Sequence, residues 1–378
     1  MQYRAHAVGR VGKFFLLGAW LVSTYLPAQA PVVSQTNVTI RVMASNLTSG
    51  NYQKYESPGL NILKGLKPDI VAMQEFNCSN NAAADFRAMI DSTFGTNFVY
   101  FRESGYSIPN GIISRWPLLN SGSWDDTQIP DRGFAWARID IPGTNDLYVV
   151  SVHLKASNGY ESTRATEAGN LKTLIQANFP ANAWVIVAGD LNTQSRSTSS
   201  EPCLATFYTF LSDNPIPTDA ESGGDPDTNE PRSKPYDYVL PSFSLTNALT
   251  NVVLASHSFP KGLVFDSAVY TPLSDVSPVT SGDSHVSGMQ HMGVVKDFRI
   301  TYSVTNYVTV PSPWLVMTSP DVIRWQGLSN VTYGVQANTN LASTNWLNVG
   351  TAMSPTTDVS FTNQSGSEPQ QFFRVVYP

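Results

Sequence analysis

The chain has 378 residues, enough for one large domain and a small one, with 42% hydrophobic and only 14% charged residues. Its 25 glycines and 25 prolines favour a protein rich in strands and loops over a helical one. The net charge of −6 excludes a broad basic surface for passive nucleic-acid binding, but not an enzyme that handles phosphates locally.

The first thirty residues are predicted to be a secretion signal. A basic start that includes Arg4 and Arg10 precedes the apolar stretch from Phe14 to Leu26, which is too short to span a bilayer comfortably. A small-x-small cleavage motif ends at Ala30. No later stretch is long and apolar enough to cross a membrane, so we expect an exported chain, extracellular or periplasmic. A retained membrane anchor is the alternative.

Between residues 31 and 300, strand and helix patterns follow one another. The predicted helices are Tyr55–Leu66, Ala82–Phe94 and Glu161–Asn178. The predicted strands are Val38–Asn46, Asp69–Phe76, Asn97–Phe101, Gly111–Ser114, Phe134–Ile141, Leu147–Leu154, Val185–Asn192, Tyr236–Leu240 and Met292–Ile300. Segments rich in turn residues are predicted to be surface loops, namely Ser212–Lys234 and Pro260–Asp283. This order predicts an α/β fold of two packed sheets with helices outside.

Beyond residue 300 the pattern changes to short strands without helices. Residues 301–316 resemble a linker in composition, and residues 317–378 are predicted to form a small β-sandwich of the fibronectin or immunoglobulin kind. Its predicted strands are Val322–Trp325, Val331–Gln336, Trp346–Val349, Val359–Thr362 and Phe372–Tyr377. This module contains no His and no Cys, so we assign it no chemistry. It either binds a surface or a glycan, or only spaces and stabilises.

Polar side chains follow the ends of several predicted strands. The run Val185–Asn192 is apolar until it releases Asp190 and Asn192 one residue apart. A carboxylate and an amide at the mouth of a buried strand suit metal binding or the orientation of a phosphate. The alternative is an ordinary turn, which Asp190 begins and Asn192 caps. The further residues of this kind are Asn46, Glu75, His153 and Asp237, with His291 just before the last strand.

These motifs, in this order, resemble the endonuclease/exonuclease/phosphatase superfamily, the DNase I-like fold. The matching pieces are Met43-Ala44-Ser45-Asn46, Ala72-Met73-Gln74-Glu75, Asn110-Gly111-Ile112-Ile113-Ser114-Arg115, Ser151-Val152-His153-Leu154, Gly189-Asp190-Leu191-Asn192, Tyr236-Asp237-Tyr238 and Gln290-His291. The resemblance covers about residues 37–300 and implies a four-layer α/β sandwich, of a secreted bacterial type with a C-terminal β-sandwich. We therefore expect a signal peptide at 1–30, a catalytic domain at 31–300, a linker at 301–316 and the module at 317–378.

The resemblance also implies a divalent cation. Glu75 and Asn46 would hold Mg²⁺ or Mn²⁺, with Ca²⁺ as a further candidate. The family usually places Asp directly before its last His, whereas this chain has Gln290. An amide oxygen can still ligate a cation, but it brings no charge, so weaker metal binding is expected. Asp283 in the preceding loop is a candidate substitute.

The remaining roles follow from the same resemblance. Asp190 would position or activate the attacking water, and Asn192, with Asn46, would orient the phosphate. His291 would be held by Asp237 and would face the phosphate as a cation.

His153 would be a second phosphate contact or an acid/base. Arg115 and Arg132 are weaker candidates for substrate binding, Arg132 because its loop could bring it to a phosphate oxygen.

Four further residues carry expectations of their own. Cys78 and Cys203 each follow a candidate site motif, and in an oxidising compartment we expect a disulfide that stiffens the mouth of the site. His257 and His285 lie in predicted loops with no partner in sight, and we expect both to face solvent.

The leading hypothesis is a secreted, metal-dependent phosphodiesterase, most similar to a DNase I-like nuclease that acts on DNA or RNA as a monomer without forming a stable nucleic-acid complex. Aromatic and basic residues expected near the site could hold a base or a sugar, namely Arg115, Trp116, Trp124, Arg132, Trp136 and Lys155. A phosphomonoesterase or a sphingomyelinase-like lipid phosphodiesterase would use the same fold. A non-catalytic binding or adhesion protein is the competing class, favoured by Gln290.

Overall fold

The computed structural model describes residues 4–7, 29–50, 53–221, 223–309, 315–319, 322–340, 342–364 and 372–376. The chain divides into two units, Thr36–Tyr302 on the one hand and Met1–Gln35 with Ser303–Pro378 on the other. Most of the predicted signal peptide lies outside the described residues, so it stays a prediction. Among the described helices, none combines the length and apolar character needed to cross a bilayer.

Strands and helices alternate in the order expected from the sequence. The elements up to the fourth helix are β1 (Arg4–Ala7), β2 (Gln29–Ser45), α1 (Ser57–Leu66), β3 (Ile70–Met73), α2 (Ala83–Thr93), β4 (Val99–Arg102), β5 (Gly111–Ser114), β6 (Leu118–Asp125), β7 (Gly133–Ile139), β8 (Leu147–His153), α3 (Glu161–Asn178), β9 (Trp184–Asp190) and α4 (Pro202–Phe207). They continue with β10 (Asp237–Pro241), β11 (Leu249–Thr250), β12 (Val252–Leu254), β13 (His257–Phe259), β14 (Leu263–Phe265) and β15 (Gly293–Thr309).

Each predicted helix and strand of the unit Thr36–Tyr302 is present, so the α/β prediction is confirmed. Most ends are displaced by three residues or fewer, but β2 begins and β15 ends nine residues beyond the predicted bounds. Sequence patterns do not reveal β6, α4 or the short strands β11 to β14. These elements are short or, in β6, polar on much of their surface, so they lack a clear apolar period.

Two sheets form the centre of this unit. One has the strand order β10-β9-β8-β7-β6, and the other has the order β11-β15-β2-β3-β5-β4, with β14 also paired to β15. The pairs β2–β3 and β8–β9 are parallel. The carboxyl ends of parallel strands lie at the same edge of a sheet, so the residues that follow these strands lie close together at that edge.

Alternate residues of the central strands face opposite layers. In β3, Ile70 and Ala72 pack between the two sheets, whereas Val71 and Met73 pack under helices α1 and α2. Strand β9 is buried on both faces in the same way, with its second face covered by α3 and α4. The result is four layers, helix–sheet–sheet–helix, as the resemblance implied.

The C-terminal region is built from strands, as predicted. Its elements are β16 (Val316–Ser319), β17 (Val322–Gln326), β18 (Tyr333–Asn338), β19 (Leu347–Ala352), β20 (Asp358–Thr362) and β21 (Phe372–Val376). They form two sheets, β16-β17-β20 and β1-β21-β18-β19. Strand β15 continues to Thr309, so the first residues of the predicted linker are strand; residues 310–314 lie outside the described chain.

The predicted disulfide is wrong. Both thiols are free and buried, but in different layers of the sandwich. Cys78 belongs to the core under α1 and α2, whereas Cys203 belongs to the core under α3 and α4, on the far side of both sheets. Burial raises the pKa of Cys78 to about 11 and that of Cys203 to about 12, as expected for small apolar-packed side chains.

Candidate active site

Three catalytic candidates lie in one row across the five-stranded sheet. His153 is the last residue of β8, Asp190 the last of β9, and Asp237 the first of β10. The strand register pairs His153 with Asp190 and Asp190 with Asp237. Because β10 runs antiparallel to β9, its beginning meets the end of β9, and the three side chains share one edge.

The other sheet brings Asn46 and His291 to the same point. Asn46 Nδ2 donates to Asp190 Oδ2 over 3.2 Å and lies 3.2 Å from His291 Nε2. His291 Nδ1 lies 2.9 Å from Asp237 Oδ2, which is the His–carboxylate pair expected from the sequence. All four side chains are buried. The edges of the two sheets therefore converge on one cluster.

Asn192 orients the Asp190 carboxylate. Its backbone N–H donates to Asp190 Oδ1 over 2.8 Å, and its side-chain Nδ2 donates to Asp190 Oδ2 over 3.0 Å and to Leu154 O over 3.1 Å. Asn192 has φ of 51°, a left-handed conformation that Asn tolerates better than most residues. The residue is thus a turn residue and a site residue at once.

Glu75 reaches the site from a left-handed backbone, with φ of 50° two residues beyond β3. This conformation is uncommon for a long side chain, and such strain concentrates at functional positions. Glu75 Oε2 accepts a hydrogen bond from Thr48 Oγ1 over 2.7 Å. Sequence patterns do not single out Thr48, because a lone Thr after a strand has no distinctive spacing.

Gly189 permits the close approach of the two sheets beside Asp190. Its φ is 141°, and a Cβ at this position would lie 2.1 Å from Val152 O and 2.6 Å from Gln74 Nε2. Gln74 Nε2 donates to Ser151 Oγ over 2.8 Å and so ties one sheet to the other behind the site. A side chain at position 189 would push these groups apart.

Thr228 supports Asp237 from the loop between α4 and β10. Its Oγ1 accepts the Asp237 N–H over 2.7 Å and donates to Asp237 Oδ2 over 3.0 Å. Asp237 Oδ1 is buried and has no hydrogen-bond partner within the described chain. Sequence patterns do not reveal Thr228, since its segment has the composition of an ordinary surface loop.

The cluster carries more negative than positive charge. Burial raises the pKa of Asp190 to about 7, and the carboxylates of Asp237 and Glu75 add to this while His291 opposes it. Burial alone would lower the pKa of His291, but Asp237 and Asp190 outweigh it and raise that pKa to about 10. His291 is therefore the cationic partner of the carboxylates at neutral pH.

His153 is the neutral histidine of the site. Its Nε2 lies 3.2 Å from Asp190 Oδ2, and its Nδ1 is buried with no partner among the described residues. Burial, together with the positive charges of Arg132 and His291, lowers the pKa of His153 well below its usual value. An uncharged imidazole here can exchange a proton or contact a substrate oxygen, but it adds no positive charge.

Three predicted site residues are not brought to the cluster. Arg115 follows β5 at the opposite edge of its sheet, where it forms an ion pair with Asp69 over 3.1 Å. Gln290 is exposed, and its backbone carbonyl accepts a hydrogen bond from the Glu230 N–H over 2.8 Å. The carboxylate of Asp283 caps its own loop by accepting from Thr280 N and Oγ1. It is therefore no substitute ligand.

His257 and His285 are both accessible to solvent, as expected, but the expectation that they lack a partner is wrong, because each has a carboxylate partner. His285 Nδ1 lies 3.0 Å from Glu230 Oε1, and its Nε2 lies 2.9 Å from Asp266 Oδ1. His257 Nδ1 lies 3.0 Å from Asp275 Oδ2. These carboxylates lie in other loops, and sequence patterns do not predict which loops come into contact.

The tryptophans expected near the site pack into the core. Trp124 and Trp136 stack with ring centroids 5.5 Å apart, and both rings contact Phe179 after helix α3. Trp116 packs against the core between the sheets. All three tryptophans are partly buried, so the core takes up much of the ring surface that the sequence analysis assigned to substrate.

A family comparison agrees with this geometry. The model of the endonuclease/exonuclease/phosphatase family matches residues 60–259, more than half of the chain. The chain belongs to this family. Members of the family are metal-dependent hydrolases of phosphoric ester bonds, and this chain is such an enzyme. Among curated proteins, none matches the sequence.

Solved structures of this family are similar at low identity. The human Nocturnin catalytic domain with bound sulfate is 17% identical, over 73% of this chain and 98% of that chain, with a TM-score of 0.45. The endonuclease/exonuclease/phosphatase from Beutenbergia cavernae is 14% identical, over 89% and 95%, with a TM-score of 0.43. A beta toxin from Staphylococcus aureus is 14% identical, over 68% and 99%, with a TM-score of 0.44.

The positive charge of Arg132 helps to lower the pKa of His153. Its guanidinium is buried and bonded to Asp131 over 2.8 Å, while its Nη1 has no partner in the described part of the chain. Two buried carboxyl groups, Asp126 and Glu167, also interact with Arg132. A phosphate oxygen would satisfy the free Nη1, which keeps Arg132 a candidate for substrate binding.

Replacing Glu167 by Gln should flatten the pH dependence of stability. Burial and the neighbouring Asp126 raise the pKa of Glu167 to about 8, against roughly 4.3 in an unfolded chain. Between these values the folded protein binds a proton that the unfolded chain lacks, so stability falls as pH rises, by at most about 1.4 kcal/mol per unit. Urea unfolding at pH 5, 6, 7 and 8 measures this slope.

Glu161→Gln is the matched control for that measurement. Glu161 lies on the same helix but is solvent-accessible, and its contact to the Gly159 N–H lowers its pKa rather than raising it. Its removal should leave the slope between pH 5 and 8 as in the wild type. Equal slopes for Glu167→Gln and the wild type would show that Glu167 is ionised in the folded state.

Proposed function

We propose that the protein is an exported phosphodiesterase that uses Mg²⁺ or Mn²⁺, and that its substrates are nucleic acids. The observation that carries the proposal is the buried cluster in which His291 Nδ1 lies 2.9 Å from Asp237 Oδ2, while Asp190 Oδ2 lies between the two histidines, 3.2 Å from His153 Nε2 and 3.6 Å from His291 Nε2. The export step rests on the N-terminal sequence pattern, and N-terminal sequencing of the released protein, with an expected start near Pro31, tests it.

The residues of the cluster suit a divalent cation. The carboxylates of Glu75, Asp190 and Asp237 outnumber the single cationic His291, and the buried Asn46 Oδ1 has no hydrogen-bond partner in the described chain. Glu75 and Asn46 would hold the cation, as oxygen ligands that Mg²⁺ and Mn²⁺ prefer. When bound, it would supply Lewis-acid stabilisation of the charge that develops on the phosphoryl oxygens.

A second ligand set competes with this one. Ligand atoms of Asp190, Asp237 and His291 lie within 4.8 Å of one another. However, His291 Nδ1 donates to Asp237 Oδ2, and Asp237 and Asp190 keep the imidazole protonated on both ring nitrogens, so it has no lone pair for a cation. We therefore assign these three residues to proton and charge handling, and Glu75 with Asn46 to the metal.

The remaining roles follow from the contacts. Asp190, held by Asn192 and Asn46, accepts a hydrogen bond from the attacking water and orients it. His291, kept cationic by Asp237, faces the phosphate and stabilises the negative charge of the transition state. His153, uncharged and with a free Nδ1, contacts the phosphate or takes part in proton transfer.

The charge of the site favours diesters. A phosphodiester carries one negative charge, whereas a phosphomonoester carries up to two near neutral pH. With the divalent cation bound, three carboxylates and one cationic histidine leave the site close to neutral, so the second negative charge of a monoester is less well compensated than the single charge of a diester. We therefore place diesters ahead of monoesters for this enzyme.

A substrate panel in both metals tests the proposal. Single-stranded DNA, RNA, nucleotides, sphingomyelin and inositol phosphates are each incubated with the purified protein and Mg²⁺ or Mn²⁺. We expect hydrolysis of the nucleic acids, loss of activity in EDTA, and recovery when excess Mg²⁺ is added. Absence of turnover on the whole panel in both metals would contradict the enzyme, and turnover of sphingomyelin alone would contradict the nuclease.

A further inference from the structure

The segment Lys155–Tyr160, which we call the rim loop, begins two residues after His153 and carries no role in the site described above. It connects β8 to α3 and ends at the exposed Tyr160, which precedes the helix. The rim loop starts close to the row formed by His153, Asp190 and Asp237, because Leu154, the residue between His153 and the loop, accepts a hydrogen bond at its O atom from Asn192 Nδ2.

Two buried polar side chains hold the rim loop in one conformation. Arg164, fully buried on α3, donates from Nη1 to Lys155 O over 3.1 Å and to Ser157 O over 2.9 Å. The Lys155 N–H donates to both carboxyl oxygens of Glu167, at 3.1 and 3.0 Å. Such dense anchoring of a short loop by buried side chains keeps its exposed groups pre-organised.

The rim loop presents a cation and an aromatic ring together. Lys155 Nζ lies 4.8 Å from the centroid of the Tyr160 ring, and Tyr160 remains 44% exposed. Lys155 also helps to lower the pKa of Asp131, the sequence neighbour of Arg132. An exposed ring and an ammonium group beside a phosphodiester centre match the chemistry that binds single-stranded nucleic acid.

We propose that Tyr160 and Lys155 form a subsite for the nucleotide next to the scissile phosphate. The base stacks on the exposed surface of Tyr160, and Lys155 contacts the flanking phosphate. The substrate must then be single-stranded, because a base paired within a duplex does not offer its face. This inference rests on the proposed function and adds the substrate class to it.

Two oligomers of equal length test the subsite: single-stranded oligothymidylate, and an abasic oligomer with the same phosphates but no bases. The wild type should cleave oligothymidylate with the higher kcat/KM. In Tyr160→Leu the KM for oligothymidylate should rise about five- to a hundredfold, so that the preference over the abasic oligomer falls towards one. Tyr160→Phe keeps the ring and should keep the preference.

Two further variants separate the contributions. Lys155→Met should weaken the cleavage of both oligomers and reduce the salt dependence of KM, because it removes a phosphate contact. Phe243→Leu changes an exposed ring beyond the far end of β10 and should leave the preference as in the wild type. It shows whether any exposed ring affects the assay.

The outcomes are distinguishable. A wild type that cleaves neither oligomer with Mg²⁺ or Mn²⁺ defeats the proposed function, and the subsite with it. A wild type that is active while Tyr160→Leu retains the full preference for oligothymidylate defeats the subsite and leaves the function standing. Equal cleavage of the two oligomers by the wild type likewise shows that no base is recognised.

Discussion

His291→Ala is expected to lower kcat on the best phosphodiester substrate by about 10²- to 10⁴-fold, with a much smaller change in KM. The reason is the loss of the buried cationic imidazole that Asp237 holds, which in the proposed mechanism faces the charge of the transition state. Initial rates at saturating metal measure it. We expect the change in kcat rather than in KM because the negative charge that His291 stabilises is greatest in the transition state.

Two variants separate charge from structure at this position. His291→Gln retains an amide donor that can reach Asp237 but carries no positive charge, so we expect it to be nearly as slow as His291→Ala. His257→Ala breaks a His–carboxylate pair of similar length, 3.0 Å to Asp275, outside the site, and should leave the rate unchanged. A wild-type rate for His291→Ala in a folded protein would show that another histidine serves the reaction.

The strand-end residues could be predicted because their signal is local. An apolar run that stops at Asp190 shows both the strand and its polar end in consecutive residues, and parallel pairing then brings His153 to the same edge. The four layers follow from the same runs, since strands buried on both faces need a layer on each side. Much of the fold, and the meeting of these candidate residues at one point, could thus be predicted from the sequence.

The rest depends on where loops lie in space. Thr228 supports Asp237 from a segment that has the composition of an ordinary loop, and His285 meets Glu230 from a distant part of the chain. The order of motifs suggested a contact between Cys78 and Cys203, but the two sheets separate these residues. Local sequence patterns do not predict the distances between residues that are far apart in the chain.

Gln290 illustrates the difference between a family pattern and this structure. Its position before His291 suggested a metal ligand, yet its side chain is exposed. The fit for a cation rests instead on Glu75 and on the unpartnered oxygen of Asn46. Compared with the family pattern, which has Asp at this position, the chain offers one carboxylate fewer. The His291–Asp237 pair is present all the same.

Arg164→Met is expected to lower the free energy of unfolding by about 3–5 kcal/mol, because it removes one partner of a buried ion pair. Arg164 donates to Glu201 from Nε over 3.0 Å and from Nη2 over 2.7 Å, and both side chains are fully buried. Glu201 Oε1 also accepts the Gln194 N–H, so this Arg joins the rim loop to the loop after Asn192. Its loss should loosen both loops beside the site.

Denaturant unfolding of Arg164→Met beside Arg87→Met measures the effect against a matched control. Arg87 pairs with Asp91 one turn further along α2, with side chains 37% and 35% exposed, and its removal should cost less than about 1 kcal/mol. Adding Glu201→Gln to Arg164→Met removes the unpaired buried charge and should recover part of the loss. Equal, small losses for Arg164→Met and Arg87→Met would show that the buried pair does not hold the two loops together.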